Sequence, residues 1–254
     1  MKNVCGERLW KLLVRARTNG IVKTLEYLCA HHRGTLSLQC AGEYHGTDKH
    51  DSAHSFAGVS YLDVYDKYLH QLRGKEIAVL EIGVRDGASL RMWKAYFKNG
   101  QIYGVDIDPR CEAFEERRVH IETGSQDDPK FLRGCFGKDI KFDLIIDDGS
   151  HISRMTIASF MTLFYERLNS GGIYIIEDLL CSYDKLQTEY NILETWPGMK
   201  YNDPAKSYDN SREEIDAFFL DKVHALDHRS GAIQFVHFWA MTCVIGKVSK
   251  YQAG

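Results

Sequence analysis

The chain has 254 residues, of which 44% are hydrophobic, 12% aromatic and 26% charged, the composition of a globular protein long enough to bury a sizeable core. Its 32 basic and 35 acidic side chains leave a formal charge of −3, without the basic footprint of a nucleic-acid binder, and no stretch approaches the roughly 20 apolar residues of a membrane span. The seven cysteines form no C-x-x-C pair, so neither a disulfide framework nor a zinc site is expected.

The first forty residues read as two short helices. Leu9, Leu12, Leu13 and Ala16 recur at helical spacing with Lys11, Arg15 and Arg17 opposite, and Ile21, Val22, Leu25, Leu28 and Cys29 repeat the pattern after Asn19-Gly20. The basic face reads as solvated surface, and the apolar stripe suggests where a homo-oligomer would form. Charges interrupt the apolar residues of the N-terminus, so it lacks the core of a signal peptide and a cytoplasmic protein is expected. Residues 41–58 are polar and rich in histidine and glycine. Tyr61, Val64, Tyr65, Tyr68, Leu69 and Leu72 then mark an amphipathic helix, with its tyrosines read as packing residues first.

From Glu76 short apolar runs alternate with helical stretches. The runs are IAVLEIG (77–83), QIYGVDID (101–108), VHIETG (119–124), FDLIIDD (142–148) and GGIYIIED (171–178). Strands alternating with helices predict an α/β fold, with a parallel sheet covered by helices on both faces. Residues 183–210 are polar and tyrosine-rich, like an inserted loop. Ser211 and Glu214 then form a capping-box pattern ahead of a helix carrying Ile215, Phe218, Phe219, Val223 and Leu226. The final IQFVHFWAMTCVIGKV suits an antiparallel edge pair. The expected division is a helical segment and lid over 1–74 and a catalytic domain over 75–254, within which 183–230 is an insertion for acceptor or oligomer contacts.

Ligands of open parallel sheets bind at the carboxyl ends of the strands, where the topology switches direction. The first such end here is LEIGVRDGASL (80–90), where Gly83 and Gly87 let the backbone turn tightly and approach a ligand. Its E-x-G-x-x-x-G spacing departs from the dinucleotide G-x-G-x-x-G, which argues against a nicotinamide-dependent oxidoreductase. The next strand end delivers Asp106. Two later ends carry acidic pairs, Asp147-Asp148 and Glu177-Asp178, which repel unless a cation neutralises them; carboxylate oxygens suit magnesium, calcium or manganese. His151, just after the first pair, is placed to act as a base.

The glycine turn resembles motif I of class I S-adenosylmethionine (SAM) methyltransferases. That resemblance implies cofactor contacts from Glu81, Gly83, Gly87 and Ser89, ribose binding by Asp106, and an adenine loop at Ser125 and Gln126, with Asp147 beside it. GTDKH, LEIGV-x-x-G-x-SL-x-MW, YGVDID, IIDDGSH and IYIIEDL, in that order over about residues 43–182, together with HFWAMTCVIGK, resemble the macrocin and mycinamicin sugar O-methyltransferases. This resemblance implies a Rossmann-like, mostly parallel seven-stranded sheet and dependence on SAM and Mg²⁺. It further implies that Asp148, Glu177 and Asp178 bind the metal, that His151 with Asp148 carries the catalysis, and that Thr47, Asp48 and Lys49 fold over the cofactor. The implied acceptor is a sugar hydroxyl of a glycoside, glycolipid or polysaccharide precursor. A catechol-type O-methyltransferase would use the same metal and vicinal hydroxyls. A non-catalytic SAM- or metal-binding module would have no need of a histidine beside the metal.

Overall fold

The structure, a computed structural model, describes residues 20–51, 54–182, 210–229 and 231–249. The helix expected over Leu9–Ala16 and most of the expected insertion, 183–209, lie outside them. The chain divides into two compact units, one of residues 1–75 with 88–99 and the other of 76–87 with 100–254.

In the first unit, α1 (Ile21–Arg33) ends where Gly34 turns left-handed at φ 76° and closes the helix with its backbone N–H. Its buried face is Thr24 and Tyr27, and Ile21, Val22 and Leu25 are exposed. Tyr27 explains the choice: its ring stacks on Tyr44 with centroids 3.6 Å apart, and its hydroxyl lies 3.1 Å from His45 Nε2. Tyr44 belongs to α2 (Leu38–His45), which the polar stretch from 41 onward helps to form. Ser37 caps this helix by accepting from Cys40 N, and Leu38, Ala41 and Tyr44 bury its apolar side. β1 (Ser55–Phe56) and β2 (Val59–Ser60) make a small hairpin through Ala57 and Gly58, whose φ values of 50° and 80° are those of a tight primed turn. Ser60 then opens α3 (Tyr61–Leu69) with a full capping box, exchanging bonds with Asp63. Tyr61 and Tyr65 are buried, as packing residues should be, and Tyr65 approaches Trp93 of α4 (Ala88–Tyr96) at 6.0 Å.

The second unit is built on a seven-stranded sheet. In chain order its strands are β3 (Ala78–Ile82), β4 (Gln101–Asp106), β5 (Val119–Thr123), β6 (Phe142–Asp147), β7 (Leu168–Ile176), β8 (Ile233–Trp239) and β9 (Thr242–Lys247). Their order across the sheet is β5-β4-β3-β6-β7-β9-β8. The first five are mutually parallel, and β9 runs antiparallel to both β7 and β8. The two C-terminal apolar runs therefore pair as expected, but only β8 is an edge. β9 is inserted between β7 and β8, which is why Cys243, Val244 and Ile245 are wholly buried. The switch in strand order falls between β3 and β6, whose near-continuous apolar texture matches burial on both faces. Leu132 of α5 (Pro129–Gly134), Phe160, Leu163 and Phe164 of α6 (Ser153–Glu166), and Ile215, Phe218 and Phe219 of α7 (Arg212–Asp227) share one core with the strands. No helix among the described residues is long and apolar enough to cross a membrane, and the six described cysteines are all free thiols.

One buried cation ties this core to the end of α5. Arg167 uses all five guanidinium donors on main-chain carbonyls: Nε on Ile140 at 2.9 Å, Nη1 on Leu132 and Arg133 at 2.8 and 2.9 Å, and Nη2 on Cys135 and Gly137 at 3.0 and 3.2 Å. Arg167→Met keeps most of the bulk and strands those carbonyls, so it should cost about 3 kcal/mol of unfolding free energy. Urea titration followed by circular dichroism measures this, and a loss under about 1 kcal/mol would contradict the assignment.

Candidate cofactor and metal site

Register brings the sequence motifs together. Ile82 pairs with both Val105 and Asp147, and Asp147 with Ile176, so the ends of β3, β4, β6 and β7 form one row across the switch point. The next residues along are Gly83, Asp106, Asp148 and Glu177. The ladder continues into that row, with Gly83 N on Val105 O at 2.8 Å, Asp148 N on Ile82 O at 3.0 Å and Glu177 N on Asp147 O at 3.0 Å.

The turn after β3 requires glycine. Gly83 has φ +93°, and a Cβ there would lie 2.0 Å from the Asp148 carbonyl oxygen. Arg85 and Gly87 are also left-handed, at φ 54° and 71°. Asp106 holds this turn: its Oδ2 accepts from Val84 N at 2.8 Å and Arg85 N at 3.0 Å, and its Oδ1 accepts from Asp108 N at 2.9 Å. Glu81 is fully buried inside β3. The loop after β5 carries Ser125, whose hydroxyl donates to Asp127, and Gln126, which crosses to the β6 end. Gln126 Nε2 donates to Asp147 Oδ1 at 3.1 Å, and its Oε1 accepts from Ser150 N at 2.6 Å.

Asp147 lies beneath this surface. Ser159 Oγ and Tyr174 OH, the latter at 2.9 Å, donate to Asp147 Oδ2. Full burial pushes its carboxyl up to about 6, against these hydrogen bonds, which pull it back down. Sequence reading missed Ser159 and Tyr174. The signal for Tyr174 was a phenol within a buried strand of isoleucines, where its hydroxyl must find a partner; Ser159 carried none beyond its helical register with the core.

Asp148, His151 and Asp178 each offer a ligand atom, and these atoms lie within 4.8 Å of one another. His151 Nε2 is 3.8 Å from Asp148 Oδ1 and 3.5 Å from Asp178 Oδ2. His151 and Asp178 are both left-handed non-glycine residues, with φ of 56° and 52°, a strained conformation that surrounding structure must hold in place. Glu177 is 3% exposed and is not part of that trio, but it lines a small cavity together with His151 and Asp178. The field of the cluster registers on its neighbour Cys181, whose thiol is pushed up to about 12 by burial and then by Asp178 and Asp148. Two hard carboxylates whose charge already weighs on a thiol fit a hard divalent cation. Thr47, Asp48, Lys49 and Ser89 belong to the first unit, where Thr47 and Lys49 are buried, Asp48 begins a short 3-10 turn and Ser89 lies in the first turn of α4.

No family model matches the chain. It is 42% identical over 191 residues, 72% of its length, to the 8-demethyl-8-alpha-L-rhamnosyl tetracenomycin-C 2'-O-methyltransferase of Streptomyces olivaceus, and covers 44% of that relative. It is 40% identical over 151 residues, 56% of its length, to the demethylmacrocin O-methyltransferase of Streptomyces fradiae, covering 35% of it. Among solved structures it resembles the MycE methyltransferase of the mycinamycin biosynthetic pathway in complex with Mg, SAH and mycinamycin VI. The TM-score is 0.64 at 28% identity, over 86% of this chain and 56% of that one. The chain thus spans about half the length or less of the relatives it matches.

Gly83→Ala tests the construction of the turn. The clash is with backbone and the φ is unsuited to alanine, so the variant should lose about 3 kcal/mol or more of stability. Thermal denaturation measures it, and a melting temperature equal to that of the unaltered protein would contradict the geometry.

Proposed function

We propose, from a chain that has the class I methyltransferase fold and is homologous to the macrocin- and mycinamicin-type sugar O-methyltransferases, that this protein transfers a methyl group from SAM to a sugar hydroxyl in a magnesium-dependent reaction. The observation that carries the reading is the convergence of Asp148, His151 and Asp178 at the ends of β6 and β7, the next two strands across the sheet from the glycine turn. In this reading Gly83, Gly87 and Asp106 receive the cofactor, with Asp106 on the ribose, and Glu81, Ser89, Ser125 and Gln126 complete its site. Asp147 supports that site from below through Gln126, and the family resemblance assigns Thr47, Asp48 and Lys49 to the same cofactor. Asp148, Glu177 and Asp178 hold the metal. Magnesium, when bound, supplies a charge that orients vicinal hydroxyls and lowers the pKa of the reacting one.

The protein's own part is to hold the acceptor oxygen in line with the methyl group and to take up its proton. His151 Nε2, 3.5 Å from Asp178 Oδ2 and 3.8 Å from Asp148 Oδ1, is the acceptor of that proton. The bond from sulfur to methyl breaks as the bond from methyl to oxygen forms, leaving a methyl ether, S-adenosylhomocysteine and a proton. The acceptor class in this reading is a small glycoside and not a nucleic acid; the rhamnosyl tetracenomycin named for one relative supports the glycoside. A cytoplasmic location follows from the need for SAM, and the exposed Ile21, Val22 and Leu25 support a homo-oligomer.

His151→Ala should lower turnover of a deoxysugar glycoside by at least ~100-fold while leaving S-adenosylhomocysteine affinity within about twofold. Full activity in the variant would remove His151 from the reaction. Excess EDTA should abolish wild-type turnover and added magnesium restore it; turnover indifferent to EDTA would remove the metal.

A further inference from the structure

Asn210 immediately precedes the N-cap residue of α7 and is 6% exposed. Its amide is fully used, on the first turn of α6 and on the loops that follow β6 and β7. Oδ1 accepts from Ser153 N at 2.7 Å and from Ser153 Oγ at 2.9 Å. Nδ2 donates to the His151 carbonyl at 2.8 Å and to the Cys181 carbonyl at 2.9 Å. An asparagine side chain has two donor hydrogens and an oxygen with two lone pairs, so all four positions are filled, and the partners fix which end is oxygen. The two acceptor bonds supply α6 with the cap that Ile152 at its N-cap position lacks. The two donor bonds join different loops. One falls on His151 itself; the other falls on Cys181, whose own N–H bonds back to the Asp178 carbonyl at 3.0 Å. Two residues on, Arg212 Nη1 donates to the Leu179 carbonyl and to Ser182 Oγ, both at 3.2 Å. The stretch 210–212 therefore bridges the two loops that carry left-handed His151 and Asp178.

We propose that Asn210 is a positioning residue, which fixes the imidazole of His151 and the carboxylate of Asp178 relative to one another through their main chains. The proposal rests on the function given above. Without the amide, both loops relax from their strained φ values, so the cost falls on metal affinity and on kcat. The glycine turn and the nucleoside site, which Asn210 does not touch, are spared.

The test compares wild type with Asn210→Ala and Asn210→Asp. The aspartate keeps an acceptor for Ser153 N and loses both donors. Binding of manganese, standing in for magnesium, is followed by electron paramagnetic resonance, and S-adenosylhomocysteine binding by calorimetry. Kinetics are taken well below each variant's melting temperature. Both variants should bind manganese at least tenfold more weakly and, at saturating metal, lose at least tenfold in kcat, with nucleoside affinity and glycoside KM within threefold of wild type. Ser153→Ala, which removes only one acceptor bond, should keep manganese affinity and kcat within threefold. Variants that melt early yet keep wild-type manganese affinity and kcat would overturn the proposal, reducing Asn210 to a helix cap. Wild-type protein that takes up no manganese would overturn the proposed function, and this proposal with it.

Discussion

Like charge gathered at one edge of a dry sheet is the constraint on which the rest of this structure depends. Parallel pairing in register sets the ends of β3, β4, β6 and β7 side by side, and every one of those ends except the glycine turn delivers a carboxylate. Two bare carboxylates at the spacing of Asp148 and Asp178 repel by about 3 kcal/mol at an effective dielectric of about 20. The molecule answers each acid differently. Asp106 is absorbed by backbone amides of the turn it supports, and Asp147 by a serine, a tyrosine and a glutamine below the surface. Asp148 and Asp178 have His151 between them, and burial first and then their charge lift the Cys181 thiol. The differences separate Asp147, closed off below the surface, from Asp148 and Asp178, which share the cluster with His151.

Order of this kind is held by strain elsewhere. Gly83, Arg85, His151 and Asp178 all have left-handed backbone, and each sits at a strand-to-helix or strand-to-turn junction beside the switch point. The bridge from Asn210, 59 residues from His151, reaches the main chain of both loops that carry the left-handed His151 and Asp178.

Much of this was legible from residue order. The alternation of IAVLEIG, QIYGVDID, FDLIIDD and GGIYIIED with amphipathic stretches gave the parallel sheet, because period and burial are local properties. The glycine turn and the acidic pairs were legible because their chemistry is written in adjacent residues. What escaped was non-local. Asn210 lies 59 residues from His151, and an asparagine ahead of a capping serine carries no pattern that announces a remote partner. The exposed stripe of α1 escaped for a related reason: periodicity marks an apolar face, but the stacking of Tyr27 on Tyr44 decided which face was buried. The insertion of β9 between β7 and β8 is a tertiary choice that two apolar runs leave open. Glu177, expected with the metal ligands, lies beside them in the cavity wall and outside the trio that Asp148, His151 and Asp178 form.

Whether this sheet edge is a nucleoside and metal site is tested most directly by titrating S-adenosylhomocysteine into the purified protein by calorimetry, with and without magnesium, and then adding deoxysugar glycosides. The account predicts micromolar nucleoside binding that does not need the metal, and glycoside heat that appears only when magnesium is present. Absence of nucleoside binding under every condition would contradict it.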